Sequence, residues 1–166
     1  MFKIKLISIS ILSTLILGGC AGTYQSKKKS DLTTFNTKVG VATAIDIKEK
    51  TRRLLDRYHY QVVRFEETYD EIYIETQWSY RTPFEDEYNQ GIVNTRTRFI
   101  IVTNPRTRSY AGGVDLHLVN VRGENQVRYV DSDNWVNSPI SDMLMTYFNK
   151  FAEDLKTELS MGIRKF

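Results

Sequence analysis

Ile140, Leu144, Phe148, Phe151, Leu155 and Leu159 recur three or four residues apart near the end of the chain. That spacing lines them along one side of an α-helix. Ser138 and Pro139 offer a hydroxyl cap and a proline for the first helical position. A long helix is therefore expected over 140–160, with Asp142 near its positive end and Gly162 as its stop. A stripe this apolar must be covered, and the rest of the chain has to supply the cover.

The preceding residues mostly follow a two-residue period. Residues 32–41 are β-leaning, with Thr33, Thr34, Phe35, Thr37 and Val39. Thr43 and Asp46 then form a capping-box-like start for a first helix over 44–58. Its stripe is Ala44, Ile47, Leu54, Leu55 and Tyr58. Residues 60–65 and 72–80 read as a hairpin turning at 68–70, with Ile72, Ile74, Thr76, Trp78 and Tyr80 on one face. Residues 81–91, acidic and holding Pro83, Asn89 and Gly91, read as an exposed loop. A strand over 94–103 puts Thr95, Thr97, Phe99 and Ile101 on one side, and 104–108 turns. A further strand over 114–121 directs Val114, Leu116 and Leu118 inward, with Asp115 and His117 outward. Gly123 to Asn125 turn again, before a short strand at 127–130.

The order β-α-β-β-β-β-β-α predicts an α+β fold. It has a single antiparallel sheet of about five to six strands, with both helices on one face. A long terminal helix across a curved sheet resembles the helix-grip arrangement. Leu54-Leu55-Asp56-Arg57-Tyr58, the strand Tyr60-Gln61-Val62-Val63 and the final helix are also similar in order to the repeated domains of the C lipoprotein of the outer-membrane β-barrel assembly machine. That lipoprotein carries two such domains and a long arm, whereas residues 32–166 have room for one domain.

The chain is 41% hydrophobic with 9 Gly and 3 Pro, which suits a packed domain rather than a disordered segment. One cysteine excludes an internal disulfide and a multi-cysteine metal site. Two histidines leave little for a metal cage. There is no Gly-x-Ser-x-Gly, phosphate-binding glycine loop or His-Glu-x-x-His, so neither a cofactor nor an enzymatic activity is expected.

Residues 1–5 hold Lys3 and Lys5 without an acid, and 6–17 are almost wholly apolar. This is the layout of a secretory signal. Twelve helical residues span about 18 Å, short of a ~30 Å hydrocarbon core. Leu17-Gly18-Gly19-Cys20 follows, and here the chain resembles the bacterial lipoprotein family of signals. The resemblance implies that 1–19 are cleaved and that Cys20 is lipidated on sulfur and acylated, palmitate being a representative chain. It implies anchoring in the outer membrane facing the periplasm, since Ala21 is not the aspartate that favours inner-membrane retention. In a single-membrane host the anchor lies on the outer face of the cytoplasmic membrane. Residues 20–31, with Lys27, Lys28 and Lys29, form the lipidated start and tether. They serve as a spacer or touch anionic headgroups. Without Lys3 and Lys5 the balance is 21 basic to 20 acidic side chains, which gives no sign of nucleic-acid binding.

Tyr69, Tyr73, Tyr80 and Tyr88 interleave with acidic residues, opposite a basic set that includes Arg96, Arg98, Arg106, Arg108, Arg122 and Arg128. They read either as cross-strand ion pairs on a solvated face or as a face for an envelope partner. Trp78, Phe99, Leu116, Phe148 and Phe151 read either as core or as the lining of a lipid or small-ligand cavity under the long helix. His59 reads as a helix-end residue and His117 as a surface strand position. Asp131-Ser132-Asp133-Asn134 reads as a turn rather than a calcium loop. The function expected is that of a membrane-anchored, non-enzymatic interaction or assembly component of the envelope. The alternative is a periplasmic ligand-binding module.

Overall fold

The computed structural model describes residues 32–107 and 115–161. Leu17–Cys20, the tether, Arg108, Val114 and Gly162 lie outside the described residues. Seven strands and three helices follow the order β1 (Thr34–Thr43), α1 (Ala44–Arg57), β2 (Val62–Glu67), β3 (Ile72–Thr76), β4 (Ser79–Arg81), α2 (Glu85–Tyr88), β5 (Ile92–Thr107), β6 (Leu116–Tyr129), β7 (Val136–Asn137) and α3 (Asp142–Ser160). The fold is α+β, with one antiparallel sheet in the order β1-β6-β5-β3-β2. β4 pairs with β5, and β7 with β6. Both long helices contribute to a single core on one side of this sheet.

α1 starts as its sequence predicts. The Thr43 hydroxyl accepts from the Asp46 amide at 3.2 Å and donates to the Asp46 carboxylate at 3.1 Å. Ile47, Thr51, Leu54 and Leu55 face the core. The helix ends through Tyr58 N–H to Leu54 C=O and His59 N–H to Asp56 C=O. His59 takes φ = 60°, the left-handed position that more often holds glycine.

α3 begins two residues later than expected. The Ser141 hydroxyl caps the Leu144 amide at 3.2 Å, while Pro139 and Ile140 form a lead-in held by Ile140 N–H to Leu32 C=O at 2.8 Å. Its stripe is buried as the spacing predicts: Leu144, Phe148, Phe151, Leu155 and Leu159. Phe99 of β5 stacks on Phe151 at 3.8 Å between ring centres, with Phe148 edge-on at 5.4 Å.

Two expected turns are strand interior instead. β6 runs unbroken through Gly123 and Asn125. A Cβ on Gly123 would lie 3.0 Å from three ring carbons of Phe148, so this glycine serves the close approach of helix to sheet rather than a bend. Asn125 is buried and accepts from Arg81 at 3.2 Å. β5 likewise continues through Pro105, which sits at an irregularity in the β5–β6 ladder. The β6 faces are also the reverse of the expected ones. His117 and Val119 point into the core, while Leu116 and Leu118 are only partly buried.

The expected strand over 72–80 is broken. Glu75 pairs with Ile100, but Ser79 pairs with Thr97, so the first strand takes four steps where β5 takes three. The extra residue flips the side-chain alternation. Ile72, Ile74 and Thr76 face inward, and beyond the break Ser79 and Arg81 do, leaving Trp78 and Tyr80 on the open face. The Thr76 hydroxyl accepts from the Phe99 amide at 2.9 Å at the interruption.

Residues 81–91 are not an exposed loop. They strap the end of the core and contain α2. The Arg81 guanidinium donates to both oxygens of Glu87 at 2.6 Å, and Glu87 is 2% exposed. Phe84 N–H also donates to Glu87 at 2.9 Å. From α2, Asp86 accepts from the Met143 amide of α3 at 3.0 Å, a carboxylate at a helix N-terminus.

Candidate functional site

Both helices lie on one side of the sheet, so the other side is open, and its side chains are set by β5 and β6. Inward residues Thr95, Thr97, Phe99, Ile101 and Thr103 leave Arg96 and Arg98 facing out. On β6 the outward set includes Glu124, Gln126 and Arg128.

Arg96 is the centre of an ordered array. Its guanidinium lies 5.0 Å from the Trp78 ring centre and 4.4 Å from that of Trp135. It donates to the Gln126 side-chain oxygen at 2.9 and 2.6 Å. Arg128 reaches Trp135 at 5.7 Å, and Tyr80 meets the same indole edge-on at 5.7 Å. Stacking on an indole holds a guanidinium flat and leaves its hydrogen-bonding rim outward. The Arg96 fork is thus positioned by two rings and a neutral amide, with no carboxylate in its salt-bridging range among the described residues.

Beside it the charges are matched. Arg98 sits over Trp78 at 4.7 Å and bridges Glu75 and Glu124, the latter at 2.7 Å. Arg122 joins Glu124 at 2.6 Å. Tyr73 donates to Glu75 at 3.0 Å under the Arg64 guanidinium, and burial holds its hydroxyl protonated above the ordinary range. The face therefore has two parts: a neutralised ladder, and an arginine–tryptophan end whose cations bear on rings.

Of the expected partner face, Tyr73, Tyr80, Arg96 and Arg98 come together here. Tyr69 is exposed in the β2–β3 turn, and Tyr88 is exposed on α2. Arg106 lies ten residues along β5 from Arg96, about 30 Å away at strand rise. The five expected cavity residues do not surround a cavity. Phe99, Phe148 and Phe151 pack on one another, Leu116 is half-buried at the end of β6, and Trp78 is on the opposite face because of the extra residue before β4. Trp135 was not singled out by the sequence, because it follows a turn-like run and alternates with nothing apolar.

His117 is 5% exposed, with Nδ1 3.5 Å from the Thr103 hydroxyl, instead of at the surface. Among the described residues, no carboxylate is paired with His59 or His117, and no group of three metal-binding side chains occurs. Asp131 to Asn134 form a turn, with Asn134 N–H donating to Ser132 at 3.2 Å, and lead into β7. No helix among the described residues is long and apolar enough to cross a membrane. No protein-family model matches the chain, and no curated protein matches it with significant similarity.

Proposed function

We propose that this protein is a lipid-anchored envelope component that works by docking rather than catalysis. Cys20 carries the anchor, in the outer membrane facing the periplasm or, in a single-membrane host, on the outer face of the cytoplasmic membrane. The open sheet face receives a protein partner through carboxylates on that partner. The observation that carries this reading is Arg96, bracketed by Trp78 and Trp135 and, among the described residues, bonded only to the amide of Gln126. With Nε and Nη2 held by Gln126, the other edge of this preoriented guanidinium, Nη1 with Nη2, suits a two-pronged bond to Asp or Glu. Exposed Tyr80 beside it supplies the aromatic contact that interface centres favour.

The ligand-carrier reading lacks such support, because Phe99, Phe148 and Phe151 fill the space a ligand needs. The test places a photo-crosslinking residue at position 80 or, as a control, at the exposed Glu49 of α1, in intact cells. A discrete adduct should form from position 80 alone and disappear with Arg96→Glu. Equal adducts from both positions, or an adduct indifferent to Arg96→Glu, overturn the reading. Cys20→Ser should leave the protein uncleaved before position 20 and abolish its lipid labelling.

A further inference from the structure

β2 is the last strand on its side of the sheet. One edge pairs with β3, and no described segment pairs with the other. An open edge presents unpaired N–H and C=O groups to any strand that fits. This one carries exposed apolar side chains, Val63 at 59% and Phe65 at 47%. Phe65 stands opposite Ile74 on the helix side of the sheet, yet α1 does not cover it. A groove of about 450 Å³ remains there, with Val62, Phe65 and Ile74 as its apolar lining and Lys48, Arg52 and Glu67 around it.

The charge pattern of this edge complements itself. Arg64 is opposite Glu75 and Glu66 opposite Tyr73, so both project on the open face, with Phe65 between them on the other. Consider a second β2 laid antiparallel along the first, with helices kept on the same side. Only registers that shift by whole pleats are then allowed, because a one-residue slip inverts the faces. Centring the pair on residue 64 sets Arg64 against Arg64, and centring it on residue 66 sets Glu66 against Glu66. Centring on residue 65 sets Phe65 against Phe65 and places each Arg64 opposite the other copy's Glu66. A two-fold axis repeats that favourable pair.

We propose that this edge is the seat of a symmetric dimer. A second copy of this chain adds its β2 antiparallel to the first with Phe65 facing Phe65, so that one sheet runs through both molecules. The two rings close over the grooves beside α1. The Arg64–Glu66 bond seen within one chain at 2.7 Å is exchanged for two across the axis. A contact of about five residues a side falls below the area of stable dimers, so the association is weak and concentration-dependent. It involves neither Arg96 nor its rings and stands apart from the docking reading.

The test is sedimentation equilibrium of the full chain in detergent, with micelles in large molar excess. A reversible monomer–dimer equilibrium is expected. Arg64→Glu and Glu66→Arg should each weaken it at least tenfold, and the two together should restore it to within threefold. A chain that stays monomeric at all concentrations overturns the proposal. So does a dimer indifferent to single reversals or not rescued by the pair. Phe65→Cys gives an independent readout: mild oxidation should yield a disulfide-linked dimer, and Val63→Cys should yield far less. Equal yields from the two would also overturn it.

Discussion

Replacing Gly123 by alanine tests the central packing contact of the fold. The added carbon would meet three carbons of the Phe148 ring at 3.0 Å, about 0.5 Å or more inside ordinary carbon contact. The ring cannot easily retreat, because Phe35, Phe99 and Tyr147 surround it with centres 5.5, 5.4 and 6.0 Å away. Overpacking by one methyl in such a setting costs about 1–3 kcal/mol. Alanine recovers roughly 0.5–1 kcal/mol of that by restricting the unfolded chain. The net expectation is a loss of about 1–2 kcal/mol, read as a urea midpoint lowered by roughly 0.5–1 M. Phe148→Leu removes the obstructing ring, so Gly123→Ala should be neutral or mildly stabilising in that background. The coupling between the two sites should then be at least ~1 kcal/mol. If Gly123→Ala leaves the midpoint unchanged, or if the two losses simply add, the close approach of α3 to β6 is not why a glycine occupies this position.

His59→Gly relieves a left-handed backbone at the end of α1 and should raise the melting temperature by a few degrees, corresponding to ~0.5–1 kcal/mol, by calorimetry. Glu87→Gln removes the carboxylate that faces the mostly buried Arg81. It should destabilise by about 2–4 kcal/mol in urea unfolding, whereas Glu85→Gln on the exposed side of α2 should change little. Tyr60 is buried beside Thr97 and Tyr147, and loss of hydration holds its hydroxyl protonated well above the ordinary tyrosine range. Its contribution is full below pH ~10, where both states hold the proton. Above that the unfolded chain ionises first, and stability should fall by up to ~1.4 kcal/mol per pH unit from this group. Tyr60→Phe should reduce that slope in unfolding curves taken at successive alkaline pH values.

The helices were legible because their signals are local. The capping hydroxyl of Thr43 and the stripe from Leu144 to Leu159 act within a few turns of chain. The class of sheet also followed, since two apolar stripes and several alternating segments have few ways to be covered. Strand ends were less legible. Gly123, Asn125 and Pro105 are turn-forming residues by composition, and the reason each sits inside a strand is a partner far away in sequence: Phe148, Arg81 and the β6 ladder. The same holds for the candidate site. Arg96 and Arg98 were visible as outward residues of β5. The alternation of 72–80 puts Trp78 on the wrong side, since nothing in that stretch announces the residue that upsets it. Trp135 had no periodic neighbours to point to it. Glu87 reads as one more acid in a charged loop because nothing local marks Arg81, six residues back, as its partner.

The irregularity between Thr76 and Ser79 is one residue of slack in an otherwise regular ladder. Deleting Gln77 would leave three steps on each strand between those pairs, an ordinary ladder with Trp78 still on the open face and Arg81, opposite Thr95, still inward. A single codon lost there would therefore spare both the Arg81 counter-ion of Glu87 and the Trp78 ring beside Arg96. Substitutions at position 77, which is solvent-facing, should pass almost unnoticed, and so should the loss of that one residue. Across divergent versions of this protein, an inward cation at 81 and an outward ring at 78 are thus the features to compare, whatever the count between 76 and 79.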